Sequence, residues 1–151
     1  MSRIAALVLA GTRAGADDPM AKAAGVSHKA ILPVGEDVRH WHASPRSAVG
    51  FLLHAGTMDL EKMGARRNLS MPGLSVTVGE QIAALERVAG KGVVARIKRQ
   101  TDPVITGIVS GWPRDFVTDR ALSLGFTTAE KTFDDIIRIH IEDELGGTFV
   151  K

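Results

Sequence analysis

The stretch TVGEQIAALERVAG, residues 77–90, carries the start signal, the apolar face and the stop signal of one helix. Thr77 and Glu80 are spaced as a capping box, in which each side chain accepts a hydrogen bond from a backbone N–H group of the first turn. Gly90 is a typical C-terminal stop. The apolar positions that recur at helical spacing are Ile82, Leu85 and Val88. We therefore predict an amphipathic helix with one buried face.

A second helix signature lies near the end of the chain. Thr132 and Asp135 have the spacing of a cap, and an apolar stripe follows them. The stripe consists of Phe133, Ile136, Ile137 and Ile141. The acidic residues Asp134, Asp135, Glu142, Asp143 and Glu144 are expected on the solvated face. This helix is predicted to close the core.

Serine or aspartate followed by proline marks the start of three more helices, because proline suits the first helical position. Ser44-Pro45 begins one that ends at Gly56, and Asp102-Pro103 begins one that runs through Val109. A short helix is also expected from Asp18 to Gly25. Apolar runs predict strands at residues 4–10, 30–34 and 93–97, and a further strand is expected around residues 67–70. The predicted fold class is α/β, with short parallel strands flanked by helices.

Composition excludes several classes of protein. The 151 residues amount to one domain, and the formal charge of +2 comes from interspersed charges. We therefore expect no nucleic-acid partner. The chain has no cysteine, which excludes disulfides and thiolate chemistry. The apolar run at residues 4–10 is too short to span a membrane. A cytoplasmic protein with no membrane partner is the expectation.

The loop after residue 10 has features of a phosphate-binding segment. Residues 9–11 and 29–34 resemble the opening of nucleotidyltransferases of the molybdenum-cofactor guanylyltransferase kind. The resemblance implies that Gly11, Arg13 and Lys29 contact a nucleotide. Thr12 stands where that family has a second glycine, and no metal-binding aspartate strand follows. The alternative is a strand, helix and strand added to a sheet edge, and the glycine spacing does not fit a dinucleotide fingerprint.

The remainder of the chain resembles another family. The segments RNLSMPGLSVTVGE (67–80), GWPRDF (111–116) and RALSLGF (120–126) are similar to the C-terminal, substrate-binding lobe of extended short-chain dehydrogenases and epimerases, within them the D-erythronate dehydrogenase subgroup. That resemblance divides the chain into a nucleotidyltransferase-like segment at 1–35 and a substrate lobe at 36–151. The family uses NAD and a Tyr-x-x-x-Lys pair. Because the chain has no tyrosine, it cannot supply that pair, and we expect neither NAD binding nor catalysis by this chain alone.

The resemblance places three residues at the substrate cleft. Ser44 and Arg46 would lie at its mouth and Arg114 would face them, so that the arginines hold the carboxylate of a sugar acid. The alternatives are a helix cap for Ser44 and surface ion pairs for the arginines. Trp41 and Trp112 are expected in the core or at a lobe interface. The histidines at positions 40 and 42 share a strand face but have no third ligand nearby, so no metal site is predicted.

Three functions remain open at this point. The first is the substrate-binding part of an NAD-dependent dehydrogenase or epimerase acting on a sugar acid such as D-erythronate. The second is a nucleotidyltransferase-like protein that binds nucleoside triphosphate, and the third is a non-catalytic interaction module. The first hypothesis implies apolar surface that is covered by a missing dinucleotide-binding lobe or by a second copy of the chain.

Overall fold

The computed structural model describes residues 30–147. In chain order its elements are β1 (Ala30–Leu32), β2 (Arg39–His42), α1 (Pro45–Thr57), a 3₁₀ turn (Leu60–Met63), β3 (Leu74–Thr77), α2 (Val78–Ala89), α3 (Lys91–Val94), β4 (Ile97–Arg99), α4 (Pro103–Ser110), α5 (Asp119–Ser123) and α6 (Phe133–Leu145). The strand predicted at residues 4–10 and the helix predicted from Asp18 lie outside the described residues. So do the nucleotide-binding candidates Gly11, Arg13 and Lys29.

Two small sheets organise the described residues. β1 pairs in parallel with β4, with Ala30 opposite Ile97. β2 pairs antiparallel with β3, with His42 opposite Leu74. The predicted α/β class with short parallel strands and flanking helices is confirmed. The antiparallel pair was not predicted: β3 does alternate apolar and polar residues over its four positions, but β2 does not, and a four-residue pattern is too short to identify a strand.

The main core forms where α2 packs on α6 above the β1–β4 pair. The predicted capping box of Thr77 with Glu80 is present on α2, and the predicted cap of Thr132 with Asp135 is also a capping box on α6. The buried apolar side chains of this core are Ala30, Leu32, Val34, Val78, Ile82, Ala84, Leu85, Ala89, Val93, Ile97, Phe133, Ile136, Ile137, Ile141 and Leu145. The apolar faces predicted for the two helices therefore meet each other.

β1 belongs to this core although it precedes the predicted boundary at residue 36. Ala30 and Leu32 are 2% and 1% exposed, and both join the main cluster. The packing unit therefore includes residues from Ala30 onward, and the division of the chain at residue 36 stays a prediction.

Two predicted strands are wrong. Residues 67–70 form no strand. The side chain of Arg120 donates hydrogen bonds to the carbonyl of Asn68 in this segment, and to the carbonyls of Met63 and Arg66, which precede it. These carbonyls therefore accept hydrogen bonds from a guanidinium group, where in a sheet they would accept them from backbone N–H groups of a neighbouring strand. In the predicted strand at 93–97, the first residues form the helical turn α3 and only Ile97 enters β4. Short apolar runs do not distinguish a helix from a strand.

A second, smaller core lies under α1. Phe51, Ala121 and Phe126 are its buried members. The predicted start of α1 is confirmed, since the Ser44 side chain accepts a hydrogen bond from the backbone N–H of Ser47, although the helix runs to Thr57, one residue past Gly56. None of the helices within residues 30–147 is long and apolar enough to cross a bilayer.

A buried carboxylate in the segment before α6 is hydrogen-bonded to the start of α1. Glu130 is 1% exposed. Its oxygens accept hydrogen bonds from the backbone N–H of Ser44 at 2.8 Å and from the hydroxyls of Ser44 and Ser47, both at 2.6 Å. A buried charge is tolerated only when it is hydrogen-bonded in this way.

Candidate functional site

A cavity of about 610 Å³ opens beside the β2–β3 pair. β2 and α2 form its inner wall, α4 and the segment after it form the outer wall, and the end of β1 closes one side. The lining residues are Pro33, Val34, His40, Trp41, His42, Ala43, Val78, Gln81, Ile105, Val109, Trp112, Pro113 and Phe116. A mostly apolar cavity of this volume that has a few polar groups is typical of small-molecule sites.

Two histidines and a glutamine place polar side-chain atoms on this cavity wall. The Gln81 side-chain nitrogen lies 3.0 Å from Nε2 of His42. An amide nitrogen can only donate, so this imidazole nitrogen accepts. Burial lowers the pKa of His42 to about 4 and also lowers the pKa of His40. Near neutral pH His42 is therefore uncharged, with its proton on Nδ1.

Aromatic rings surround these polar groups. Trp41 meets Phe116 edge to face at 5.6 Å between ring centroids, and His40 meets Trp112 at 5.5 Å. The Trp41 indole N–H donates to the carbonyl of Met71 at 3.2 Å. Of the two positions expected for Trp112, a core is not the one observed within the described residues, because this side chain is 54% exposed at the cavity edge; a position at a lobe interface stays a prediction.

Gly73 allows the backbone to approach Trp41 closely. A Cβ atom at this position would lie 2.5 Å from the carbonyl oxygen of His42 and 2.6 Å from the indole nitrogen of Trp41. We expect Gly73→Ala to lower the free energy of unfolding by about 1–3 kcal/mol, because β2 and the indole must shift. Chemical denaturation followed by circular dichroism measures this.

Gly107→Ala is the matched control for that substitution. It lies in α4, where an added Cβ meets nothing within 4 Å. Alanine is the better helix former, so this variant is expected to be neutral or more stable. An equal loss of stability in both variants would contradict the close approach at Gly73.

The structure places the three predicted substrate-binding residues in different surroundings. Ser44 caps α1 and is fully buried against Glu130. The guanidinium of Arg46 donates to carboxylates of α6, at 2.5 Å to Asp143 and 3.1 Å to Glu142. These are the helix cap and the surface ion pair that the sequence offered as alternatives.

Arg114 lies on the segment that closes the cavity, between two lining residues, Pro113 and Phe116. Its carbonyl accepts a hydrogen bond from the Ser75 hydroxyl at 2.7 Å, which ties this segment to β3. Within residues 30–147 its side chain makes no salt bridge at 4.0 Å or less, whereas Arg46 is paired. Neither arginine is among the residues that line the cavity, and only Arg46 is engaged by carboxylates of α6.

Sequence reasoning considered the histidines of β2 only as metal ligands. Among the residues that the structure describes, no group of three or more His, Asp or Glu side chains is arranged to hold a metal ion. The sequence did not identify Gln81 and Trp112 as residues that line the cavity. The only local signal was the residue order Arg39-His40-Trp41-His42, in which polar and aromatic side chains share one short segment.

The chain matches no protein-family model. It is 40% identical over 114 residues to D-erythronate dehydrogenase from Cupriavidus necator, a match that covers 76% of this chain and 35% of the relative. It is 32% identical over 116 residues to D-erythronate dehydrogenase from Haemophilus influenzae, which covers 77% and 36% of the two chains. The crystal structure of the nucleoside-diphosphate-sugar epimerase from Agrobacterium tumefaciens is 59% identical with a TM-score of 0.77, over 80% of this chain and 35% of that one.

These matches support the short-chain dehydrogenase/epimerase family. The similarity is to the C-terminal region of the family. This dehydrogenase/epimerase region spans about a third of the length of the relatives that it matches. The comparisons do not support the nucleotidyltransferase resemblance of residues 1–35.

Proposed function

We propose that this chain is the substrate-binding part of an NAD-dependent short-chain dehydrogenase or epimerase that acts on a sugar acid such as D-erythronate. The observation that carries the proposal is the 40% identity over 114 residues to a D-erythronate dehydrogenase. The epimerase structure with a TM-score of 0.77 supports the same family. The chain contains no tyrosine, so the family's Tyr-x-x-x-Lys pair and the NAD site would come from another part of the enzyme.

Exposed apolar side chains support the idea that another protein surface covers this region. α1 exposes Val49, Leu52 and Leu53, which share one helix face at 55%, 74% and 68% exposure. α4 exposes Val104 and Ile108, at 71% and 60%. A dinucleotide-binding lobe or a second copy of the chain would remove this apolar surface from water.

We assign the carboxylate of the sugar acid to Arg114. This arginine lies at the cavity edge and has no salt-bridge partner within the described residues, so its five donors are available. Arg46 and Ser44, which were also predicted to bind substrate, are already engaged with Asp143 and Glu130. A planar guanidinium can hold a carboxylate through two parallel hydrogen bonds, which a lysine cannot reproduce.

Arg114→Lys is therefore expected to weaken D-erythronate binding several-fold although the charge is retained. Isothermal titration calorimetry of the 151-residue chain measures the dissociation constant, which we expect in the millimolar range because exposed charges contribute little. Arg46→Lys is the matched control and should leave binding unchanged. Equal affinity in the parent and both variants would refute the assignment of Arg114, and no binding by the parent chain would count against the proposed function.

A further inference from the structure

We propose that Arg120 of α5 is a positioning residue for the sugar-acid site, because it keeps residues 63–71 in the place where they orient the indole of Trp41. Arg120 does not line the cavity, so it acts through this segment. The role of the ligand in this inference rests on the proposed function. The hydrogen bonds that carry the inference belong to the chain itself and can be measured without a ligand.

The guanidinium of Arg120 is hydrogen-bonded to three backbone carbonyls. One terminal nitrogen donates to Met63 and Arg66, both at 2.7 Å, and the other donates to Asn68 at 3.2 Å. Within residues 30–147 Arg120 makes no salt bridge at 4.0 Å or less. Residues 66–70 belong to no helix or strand, so this guanidinium supplies hydrogen bonds that regular secondary structure does not supply there.

The same segment ends at the hydrogen-bond acceptor of Trp41. Leu69 and Met71 pack against the smaller core under α1. The carbonyl of Met71 accepts a hydrogen bond from the indole N–H of Trp41 at 3.2 Å. Gly73, two residues later, lies directly against the indole ring. A shift of residues 63–71 therefore moves the atoms that orient this indole.

The position of Trp41 in turn affects the segment that carries Arg114. Trp41 meets Phe116 edge to face at 5.6 Å between ring centroids, and aromatic pairs prefer such a defined geometry. Phe116 is two residues after Arg114, so displacement of the indole displaces the backbone that bears this guanidinium. The Ser75 hydroxyl binds the carbonyl of Arg114 independently of Arg120. Loss of Arg120 should therefore weaken sugar-acid binding without abolishing it.

The shape of the guanidinium determines which substitutions are informative. The three carbonyls are divided between two nitrogens of Arg120, whereas a lysine has all its donors on one nitrogen. Arg120→Lys therefore keeps the charge and loses part of the hydrogen bonding. Arg66 and Asn68 are exposed, so water can donate to their carbonyls once the guanidinium is removed. We expect Arg120→Ala to fold, with residues 63–71 less well fixed.

Hydrogen exchange of the Trp41 indole N–H tests the positioning in the whole 151-residue chain. The chain has two tryptophans, so NMR of a nitrogen-15-labelled sample gives two indole signals, which Trp112→Phe assigns. In Arg120→Ala the Trp41 indole N–H should exchange with solvent about fivefold or more faster than in the parent chain, because its hydrogen bond to Met71 opens more often. The indole of Trp112, 54% exposed, is the internal reference and should change by less than about twofold.

Arg46→Ala is the matched control for the loss of an arginine. It removes a surface ion pair with α6 and should leave both indole signals unchanged. Methylguanidinium, added to Arg120→Ala well below denaturing concentrations, should restore slow exchange at Trp41, because it can donate to the same carbonyls. Methylammonium at the same concentration should not restore it. A role of Arg120 in stability alone would not produce this difference between the two ions.

Titration calorimetry with D-erythronate connects the positioning to binding. Arg120→Ala and Arg120→Lys should raise the dissociation constant about threefold to tenfold, and Arg46→Ala should leave it unchanged. Unchanged exchange at Trp41 in Arg120→Ala, or equal acceleration in Arg46→Ala, would overturn the positioning of the indole. Faster exchange with unchanged affinity for D-erythronate would overturn the role of Arg120 in the site.

Two further outcomes remain decisive. If Arg120→Ala does not fold, the same exchange and calorimetry measurements on Arg120→Lys decide the proposal. If the parent chain does not bind D-erythronate, the proposed function fails, while the exchange and rescue measurements still decide whether Arg120 positions Trp41.

Discussion

Glu130→Ala is expected to lower the free energy of unfolding by at least about 3 kcal/mol. The carboxylate is 1% exposed and accepts three short hydrogen bonds from Ser44 and Ser47. Alanine would leave two buried hydroxyls and a buried N–H without their acceptor, and each such group costs about 1–3 kcal/mol. Urea denaturation at neutral pH measures the loss.

The same carboxylate makes stability sensitive to acid. Burial raises the pKa of Glu130, but the hydrogen bonds from Ser44 and Ser47 outweigh it, so the net pKa is below the ordinary glutamate value of 4.5. A carboxylate whose pKa is lowered by folding contributes stability above the unfolded pKa, and that contribution disappears as the pH falls through the folded pKa. Below pH 4.5 the parent chain should therefore lose this contribution progressively.

Glu130→Gln isolates the charge in this experiment. It should be less stable than the parent chain near pH 7, and the difference should shrink as the pH falls below 4.5. Glu86→Ala, at an exposed position of α2, is the control and should change stability by less than about 0.5 kcal/mol. A constant difference between Glu130→Gln and the parent chain from pH 7 down to acid would show that the ionised form of Glu130 does not stabilise the fold.

Leu85→Ala is expected to cost about 2–5 kcal/mol. Leu85 is 1% exposed at the contact of α2 with α6, where Ile136 and Ile137 are fully buried. Removal of three carbon atoms leaves a cavity that the packed helices can only partly close. The midpoint of thermal unfolding should fall by several degrees, and calorimetry or circular dichroism detects the shift.

Leu52→Ala removes the same atoms from an exposed position. Leu52 is 74% exposed on α1, so its truncation should leave stability within about 0.5 kcal/mol. A similar loss in both leucine variants would mean that the α2–α6 contact is not the core of this protein.

The helices could be predicted from sequence because their signals are local. A cap and its partner lie three residues apart in Thr77 and Glu80, and again in Thr132 and Asp135. The apolar stripes of both helices then determine which faces are buried. The strand β1 could also be predicted, from the short apolar segment before Pro33, whereas the predicted strand at 93–97 reaches its partner β4 only at Ile97.

The pairing of β2 with β3 and the cavity beside it could not be predicted because their determinants are distant in sequence. His42 acquires its hydrogen-bond partner Gln81 only when β2 lies against the start of α2. The role of Arg120 is similar, since its side chain reaches carbonyls of the segment around Asn68. The carboxylates that engage Arg46 are on α6, near the other end of the described chain. No short window of sequence contains both members of these pairs.

The parallel pairing of β1 with β4, and the packing of α6 on the same core, affect how the protein is made. β1 leaves the ribosome before the other described elements, yet its partner strand follows much later and the helix that completes its core comes last. The chain between these elements is long, and its ends must be brought together, at a cost in conformational entropy, before the stabilising contacts can form. During synthesis, the core side chains Ala30 and Leu32 therefore lack their native neighbours until those later elements have been made. The main core can therefore be completed only after α6 has been synthesised.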